Sequence, residues 1–351
     1  MENLTVQNYQ GTNFLVDLPV CINIWIRPEC QRRQFEVIRQ AKPSVLFLIS
    51  DGGRTDAEWQ AILENRRLYD EGIDWDCTVY KMYKTENQGL YAQAKQFHEL
   101  VWSKVDRCAF LEDDVLPSVS FFRYCAELLE RFKDDLRVNV ICGMNHLGVC
   151  ENVQSDYFFS RQGSIWGYAM WKRTYEQYYD FAYMQDPYVM DCLRQRTRRN
   201  AKIWNRICGY ARDPMYQGHP PFTEYYFELS MYLHNQLQII PKYNLISYIG
   251  CTEDSAHSSE LELQPHGIRR IFNMKTYELD FPLHHARYVL PDVAYEKKRN
   301  EILAYNCPWR SKVRGVERIW LQLRHGNLRG AIRIVVERMA RLLKVKQKTE
   351  R

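Results

Sequence analysis

The sequence has no stretch approaching the ~18 consecutive apolar residues that a membrane-spanning helix needs. Residues 1–11 are polar, so we expect no secretory signal peptide. Disorder is excluded as well, because 46% of the 351 residues are hydrophobic and 26% are charged. There is no internal repeat. We therefore expect a folded cytoplasmic protein with one large domain or two modest ones.

The cysteines lack the spacing of a metal or disulfide framework. There are eleven, an odd number, scattered from Cys21 to Cys307 without a Cys-x-x-Cys pair. This pattern indicates neither a set of disulfides nor a zinc knuckle, and it fits a reducing compartment.

The formal net charge of +5 is unevenly distributed along the chain. Residues 308–351 hold 13 Lys and Arg against three Asp and Glu, whereas the preceding 307 residues hold 35 against 40. A mildly acidic body without a recognisable RNA or DNA motif counts against nucleic acid as a partner. The basic cluster in residues 194–212 is interpreted first as a solvated helix face and second as an acceptor or phosphate contact.

Strand-like and helix-like segments alternate through the first half of the chain. Short apolar runs predict strands at Pro19–Ile26, Ser44–Ser50, Cys77–Tyr83, Arg107–Leu111 and Val138–Gly143. Helices are predicted between them at Glu29–Lys42, Thr55–Tyr69, Leu90–Ser103 and Ser118–Phe132. This order implies an α/β fold with a mostly parallel central sheet and helices on both faces. Ligands bind such sheets at the carboxyl ends of the strands.

Three acidic residues, Glu112, Asp113 and Asp114, directly follow the predicted strand Arg107–Leu111. Clustered carboxylates repel one another and are costly to bury unless a cation joins them. Their oxygens suit Mg²⁺ or Mn²⁺, which commonly bridge protein and phosphate oxygens. The alternative is a solvated loop in which Asp114 only caps the next helix.

Several ordered motifs resemble those of GT-A glycosyltransferases, which have a Rossmann-like fold. The motifs are DGG at 51–53, ENQGL at 86–90, FLEDDVLPS at 110–118, GSIWGYAMWKR at 163–173, PKYNLISYIG at 241–250 and EDSAH at 253–257. The acidic triplet followed by SFF at 120–122 is similar to the N-acetylglucosaminyltransferase I-like group, and the later motifs are similar to bacterial family 2-like glycosyltransferases. The resemblance implies a GT-A domain over residues 1–295, with a donor half at about 19–150 and an acceptor half at about 151–295.

The resemblance also implies roles at the donor site. Asp114 would bind the divalent metal, which bridges the two phosphates of a nucleotide-diphospho-sugar, with a UDP-sugar favoured. Asp113 and Glu112 would face the donor sugar and ribose. His257 would be a second metal or pyrophosphate contact, and the simpler interpretation of this residue is a structural histidine.

Three further residues are expected near the nucleotide on the same resemblance. Arg27 and Asp51 follow the first two predicted strands, and Asn87 would hold the loop beneath the donor. The simpler interpretations are a surface salt bridge for Arg27, a turn residue for Asp51 and a local turn contact for Asn87.

The resemblance further implies an inverting transfer by one in-line displacement, in which a carboxylate deprotonates the acceptor hydroxyl. Glu224 is the first candidate, although Thr223-Glu224 stands where relatives tend to have Trp-Asp. Asp186 and Asp191 are the next candidates, and each of the three could instead be a surface acid.

Residues 296–351 are predicted to form a basic tail of amphipathic helices. Val313, Val316, Trp320 and Leu323 make one apolar stripe, and a second follows Gly326 at Leu328, Ile332, Val335, Met339 and Leu342. Such a helix fits an anionic membrane surface, which would place the protein at the inner face of the cell membrane. Packing on the catalytic body or on a partner chain is an equal alternative.

The sequence thus predicts a metal-dependent hexosyltransferase that builds a bacterial surface polysaccharide, with a glycan or lipid-linked acceptor. Another sugar-nucleotide enzyme, such as a nucleotidyltransferase, is the alternative, although Arg27-Pro28-Glu29 is a poor match for a Gly-rich triphosphate loop. A non-enzymatic nucleic-acid binder is the third hypothesis.

Overall fold

Apolar segments of the first third of the chain form the parallel centre of a nine-stranded sheet. The computed structural model describes residues 4–177, 182–197, 231–251, 261–305 and 307–336, together with residues 204, 208 and 339. The strands are β1 (Leu4–Tyr9), β2 (Val16–Ile24), β3 (Pro43–Ser50), β4 (Cys77–Tyr83), β5 (Arg107–Leu111), β6 (Val115–Pro117), β7 (Val138–Cys142), β8 (Tyr157–Ser160), β9 (Tyr168–Trp171), β10 (Leu237–Pro241) and β11 (Ile246–Tyr248). The neighbours β4, β3, β2 and β5 run parallel in that order, as the alternating pattern predicts.

Helices cover both faces of the parallel centre. The main helices of the described chain are α1 (Pro28–Ala41), α2 (Asp56–Gly72), α3 (Leu90–Lys104), α4 (Ser120–Arg131), α5 (Lys172–Glu176), α6 (Pro187–Thr197), α7 (His266–Arg269), α8 (Val293–Leu303) and α9 (Pro308–Arg324), with a 3-10 helix at Ala182–Gln185. Alternate residues of β2 supply both cores: Val20 and Ile22 pack with α1, α2 and α4, and Cys21 packs with α3. The two-residue period of a strand buried on both faces therefore fixes the layers.

The second half of the chain extends the same sheet. Strand β9 lies between β5 and β7 and is antiparallel to both, and β10 follows β7 in parallel. Strand β1 adds an antiparallel edge beside β4. The sheet therefore runs across residue 150, where the sequence suggested a division into donor and acceptor halves.

A two-stranded ribbon lies next to the large sheet. Strand β6 directly follows the acidic triplet and pairs antiparallel with β11, so that Val115 faces Tyr248. This pairing joins the loop after β5 to residues more than a hundred positions later in the chain.

The C-terminal part has an integral helix and a peripheral one. Helix α8 begins before residue 296, the predicted start of the tail, and it buries Tyr295, Arg299 and Ile302 against the body. Helix α9 follows it, and residues 328–336 are also helical. None of the described helices is long and apolar enough to cross a bilayer.

Candidate active site

The acidic triplet lies in the turn between β5 and β6, at the carboxyl edge of the parallel strands. Asp113 and Asp114 are 9% and 6% exposed, and Glu112 is half-buried. Two adjacent buried carboxylates are costly unless they are compensated, so this loop is not the solvated acidic loop of the simpler interpretation.

Arg27 supplies the compensating charge. It follows β2 and precedes the first turn of α1, and its Nη1 lies 2.8 Å from Asp113 Oδ2 and 2.8 Å from Asp114 Oδ2. The arginine side chain is 27% exposed, and its two partners are almost covered. Because β2 and β5 are neighbours, their carboxyl ends bring a cation and two anions together. One positive charge against two negative ones leaves the group with a net charge of −1 when both acids are ionised.

Burial sets the protonation of these carboxyl groups. Burial, and after it the neighbouring Asp114 carboxylate, raise the pKa of Asp113 to about 6, although Arg27 acts to lower it. Burial also raises the pKa of Asp114, against the lowering effects of Arg27 and of the Tyr248 hydroxyl. Burial alone would lower the pKa of Arg27, but Asp113 and Asp114 raise it, so the guanidinium stays charged.

Strand β11 covers the acidic turn from the other side. The Tyr248 hydroxyl hydrogen-bonds the Asp114 carboxylate, and the Ile249 N–H donates to the Asp114 carbonyl at 2.8 Å. A Cβ on Gly250 would lie 2.9 Å from Asp114 Oδ2 and 2.9 Å from the Tyr248 hydroxyl, closer than side chains approach. A side chain in place of Gly250, at the end of the PKYNLISYIG motif, would therefore have to displace the Asp114 carboxylate or the Tyr248 hydroxyl.

Two buried glutamines of α1 hold the backbone of the same turn. Gln34 Nε2 donates to the carbonyl of Glu112 at 2.7 Å and to that of Val115 at 2.6 Å. Gln31 Nε2 lies 3.5 Å from the carbonyl of Asp113, and the Tyr69 hydroxyl donates to Gln34 Oε1 at 3.1 Å. The sequence interpretation missed both glutamines.

Asp51 lies at the carboxyl end of β3 and binds backbone. Its carboxylate accepts from the N–H groups of Gln88 and Gly89 at 3.0 Å, and Asn87 Nδ2 donates to the Gly52 carbonyl at 2.8 Å. The two motifs DGG and ENQGL thus interlock. No hydrogen bond or ion pair joins Asp51 to Asp113 or Asp114 within the described part of the chain.

The candidate bases are separate from this cluster or fall outside the described residues. Asp186 is exposed and its Oδ1 accepts from the N–H groups of Tyr188 and Val189 at the start of α6. Asp191 is exposed on α6 and accepts from Gln195 at 2.6 Å. Neither acid contacts Asp113 or Asp114 by a hydrogen bond in the described regions. Glu224 and His257 lie outside the described residues.

The donor set of the acidic turn fits a hard divalent cation at Asp114. Asp114 Oδ1 is buried and accepts no hydrogen bond, although it is a carboxylate oxygen that needs a partner. Within the described residues no three His, Cys, Asp or Glu side chains converge as a metal cluster. A cation here would therefore take Asp114 as its ligand from the described chain and complete its coordination with other oxygens.

Comparisons with known proteins give distant likenesses. No family model and no curated protein matches this chain. Among solved structures, the chain is similar to a mannosyltransferase of Pyrobaculum calidifontis in complex with GDP-Man and Mn²⁺, at 12% identity and a TM-score of 0.33 over 48% of this chain and 49% of that one. It spans about half the length of that mannosyltransferase.

Two further solved structures are similar to parts of the chain. UTP-bound UGPase from Acinetobacter baumannii matches at 9% identity and a TM-score of 0.34, over 70% of this chain and 98% of that one. A197 from STIV matches at 12% identity and a TM-score of 0.26, over 46% of this chain and 68% of that one. Likenesses at this level assign neither a family nor a ligand to the chain.

Proposed function

We propose that this protein is a metal-dependent glycosyltransferase that moves a sugar from a nucleotide-diphospho-sugar to a hydroxyl of a glycan or lipid-linked acceptor. One observation supports this proposal most directly. A buried pair of carboxylates, with one oxygen of Asp114 left without a hydrogen bond, lies at the carboxyl edge of a parallel sheet, where ligands bind α/β proteins. The ordered motifs that resemble GT-A enzymes include this acidic turn, its ribbon partner β11 and the interlocked DGG and ENQGL loops.

In this proposal Asp114 would bind the divalent cation through Oδ1, the buried oxygen that has no hydrogen-bond partner among the described residues. A bound Mn²⁺ or Mg²⁺ supplies electrostatic stabilisation of the negative charge on a nucleoside diphosphate leaving group. Arg27 keeps the two carboxylates close together, and Asp113 faces the donor beside it. Gln34 and Tyr248 fix the turn so that the carboxylates do not have to reorganise when a donor binds.

Inverting transfer also requires a base on the acceptor side. Glu224 remains our first candidate for it. The Asp186 carboxylate accepts a hydrogen bond from the backbone at the start of α6, and the Asp191 carboxylate accepts one from Gln195. Either acid would have to give up this hydrogen bond to act as a base. The finer assignments, a UDP-sugar donor and a role in bacterial surface polysaccharide at the cytoplasmic face, are part of the same proposal and rest on the resemblance.

A thermal-shift panel of UDP-, GDP- and CMP-sugars, each with and without Mn²⁺, tests the proposal. We expect one nucleotide class to raise the melting temperature of the full chain, and to do so only with the metal. A chain that ignores every donor at saturating Mn²⁺ and Mg²⁺ would contradict the enzyme assignment. A shift by UTP with a sugar 1-phosphate, followed by release of pyrophosphate, would favour a nucleotidyltransferase instead.

A further inference from the structure

Helix α9 contacts the body of the protein through polar side chains. Arg310 and Arg314 bind the carbonyl of Glu301 at the end of α8, at 3.4 Å and 3.2 Å. Glu317 accepts from the His266 N–H at 2.8 Å. An amphipathic helix on a globular body normally buries its apolar side, so α9 has the opposite orientation.

The apolar stripe of α9 is consequently exposed. Trp309, Val313, Val316, Trp320 and Leu323 recur at intervals of four and three residues, and each is between 45% and 71% exposed. The sequence interpretation in which this stripe packs on the catalytic body is therefore wrong. Leu321 is the apolar residue of α9 that is buried instead.

The exposed stripe continues after the turn at Gly326. Leu328, Ile332 and Val336 are 61%, 54% and 57% exposed on the next helical segment, and Met339 is 59% exposed. Ala331, on the other side of that segment, is 4% exposed. A run of exposed large side chains over two consecutive helical segments is far more than scattered surface hydrophobics and indicates an interaction surface.

Positive charge surrounds this surface. Arg324, Arg329 and Arg333 are exposed, and residues 308–351 together have a net charge of +10. We propose that the outward stripe of residues 309–339 docks on an anionic lipid bilayer, with the apolar side chains entering the headgroup boundary and the arginines contacting lipid phosphates. The positive charge favours an anionic bilayer over a second copy of the chain, because two tails of the same sign repel each other.

The composition of the stripe fits the boundary region of a bilayer. Trp309 and Trp320 lie near its two ends on α9, and tryptophan is the side chain enriched at membrane interfaces. The helix lies on the surface and does not span, because it carries seven basic side chains between residues 308 and 336. This docking does not depend on the proposed reaction and is tested separately from it.

Vesicle co-sedimentation of the full chain tests the docking. The probes are vesicles of phosphatidylcholine alone and of equal parts phosphatidylcholine and phosphatidylglycerol. We expect binding to the mixed vesicles and not to phosphatidylcholine alone. The double variant Val316→Ser/Trp320→Ser should weaken binding about tenfold or more, because it removes apolar area that enters the bilayer. The variant Arg329→Glu/Arg333→Glu should have an effect of similar size, because each basic residue near an anionic surface contributes.

Matched variants on the body serve as controls. Leu15→Ser/Leu136→Ser removes two leucines that are 68% and 65% exposed, and Arg33→Glu/Arg67→Glu reverses two exposed charges. Both should bind the mixed vesicles as the parent does, and circular dichroism melts should show that all variants fold.

Three results would overturn the proposal. The full chain could fail to bind the mixed vesicles, or the stripe variant could bind them as tightly as the parent, which would mean charge alone acts. Light scattering could instead show a dimer that Val316→Ser/Trp320→Ser dissociates, which would assign the stripe to a second copy.

Discussion

The acidic turn and helix α9 each depart from the usual distribution of polar and apolar groups, because the turn buries charged groups and the helix exposes apolar ones. The turn places two carboxylates inside the protein, and α9 places two tryptophans and three aliphatic side chains outside it. The acidic turn is compensated within the chain by Arg27, Tyr248 and Gln34. The apolar stripe of α9, in contrast, is not covered by any part of the described chain. This difference supports both proposals, a preorganised ligand site at the acidic turn and a docking surface on α9.

The largest effect should come from Asp114, whose buried Oδ1 has no hydrogen-bond partner in the described part of the chain. Asp114→Asn keeps the shape of the side chain but removes its charge, so we expect metal-dependent donor stabilisation to disappear and sugar transfer to fall about 10³-fold. Metal-dependent thermal shifts and initial rates measure this. Asp134→Asn, an exposed acid on the body, is the control. Metal dependence in Asp114→Asn equal to that of the parent would contradict the assignment of Asp114 as the metal ligand.

The next effect concerns the compensation by Arg27, and it depends on pH. Arg27→Met leaves two buried carboxyl groups without a cation. The free energy of unfolding, measured with a chelator present, should therefore fall by about 3 kcal/mol at pH 8. The pKa of Asp113 is already raised to about 6, so the folded state holds this proton more tightly than the unfolded chain does. The free energy of unfolding of the parent therefore falls as the pH rises towards 6. The carboxyl pKa values of the variant should be raised further, so its free energy of unfolding should fall by more over the rise to pH 8.

Urea unfolding at pH 5 and pH 8 distinguishes this account from simple loss of packing. At pH 5 the carboxyl groups of the variant take up protons, and the penalty should shrink. Arg33→Met, on the exposed side of the same helix, should change stability little at either pH. An equal penalty at both pH values for Arg27→Met would contradict the electrostatic role.

A smaller effect is expected from the glutamine that holds the turn. Gln34→Leu leaves the buried carbonyls of Glu112 and Val115 without that donor, which costs about 2 kcal/mol of unfolding free energy. Donor affinity should fall as well, because the turn loses its fixed position. Gln40→Leu at an exposed position of α1 is the control. Unchanged donor affinity in a destabilised Gln34→Leu would limit this residue to a structural role.

The smallest effect is expected at the exposed apolar stripe of α9. Val316→Ser/Trp320→Ser should change the unfolding free energy of the isolated protein by no more than about 0.5 kcal/mol, because both side chains are exposed. The fully buried Phe121 gives the contrast, and Phe121→Ala should cost about 4 kcal/mol. Thermal melts without lipid measure both. A large loss in the stripe variant would mean that the stripe packs against the chain.

Much of the fold in the first half of the chain follows from local patterns. Apolar runs between helix-compatible segments predicted β2 to β5 and α1 to α4 within a few residues, because a strand buried on both faces reads as continuous apolar sequence. Strand β1 was missed because its LTVQNY segment is an exposed edge strand with no apolar run. Strands β8 to β11 were missed as strands because they are short and embedded in aromatic sequence.

The grouping of Arg27 with Asp113 and Asp114 was predictable because all three follow the ends of neighbouring strands. Position after β5 pointed to Asp113 and Asp114, and position after β2 pointed to Arg27. The glutamines were not found because polar residues on a surface helix are usually solvated. A signal was present: Gln31 and Gln34 lie on the same helical face as Phe35 and Ile38, which are buried. Long-range pairing, such as that of β6 with β11, has no local signature.

Tyr248 gives the acidic turn a connection that can be read optically. Its hydroxyl bonds Asp114, and its ring stacks on Trp166 with centroids 4.6 Å apart. A change of charge at the carboxylate therefore alters the electric field at an indole through a single intervening ring. The emission of Trp166, isolated by subtracting the spectrum of Trp166→Phe, becomes an intrinsic gauge of whatever arrives at that turn.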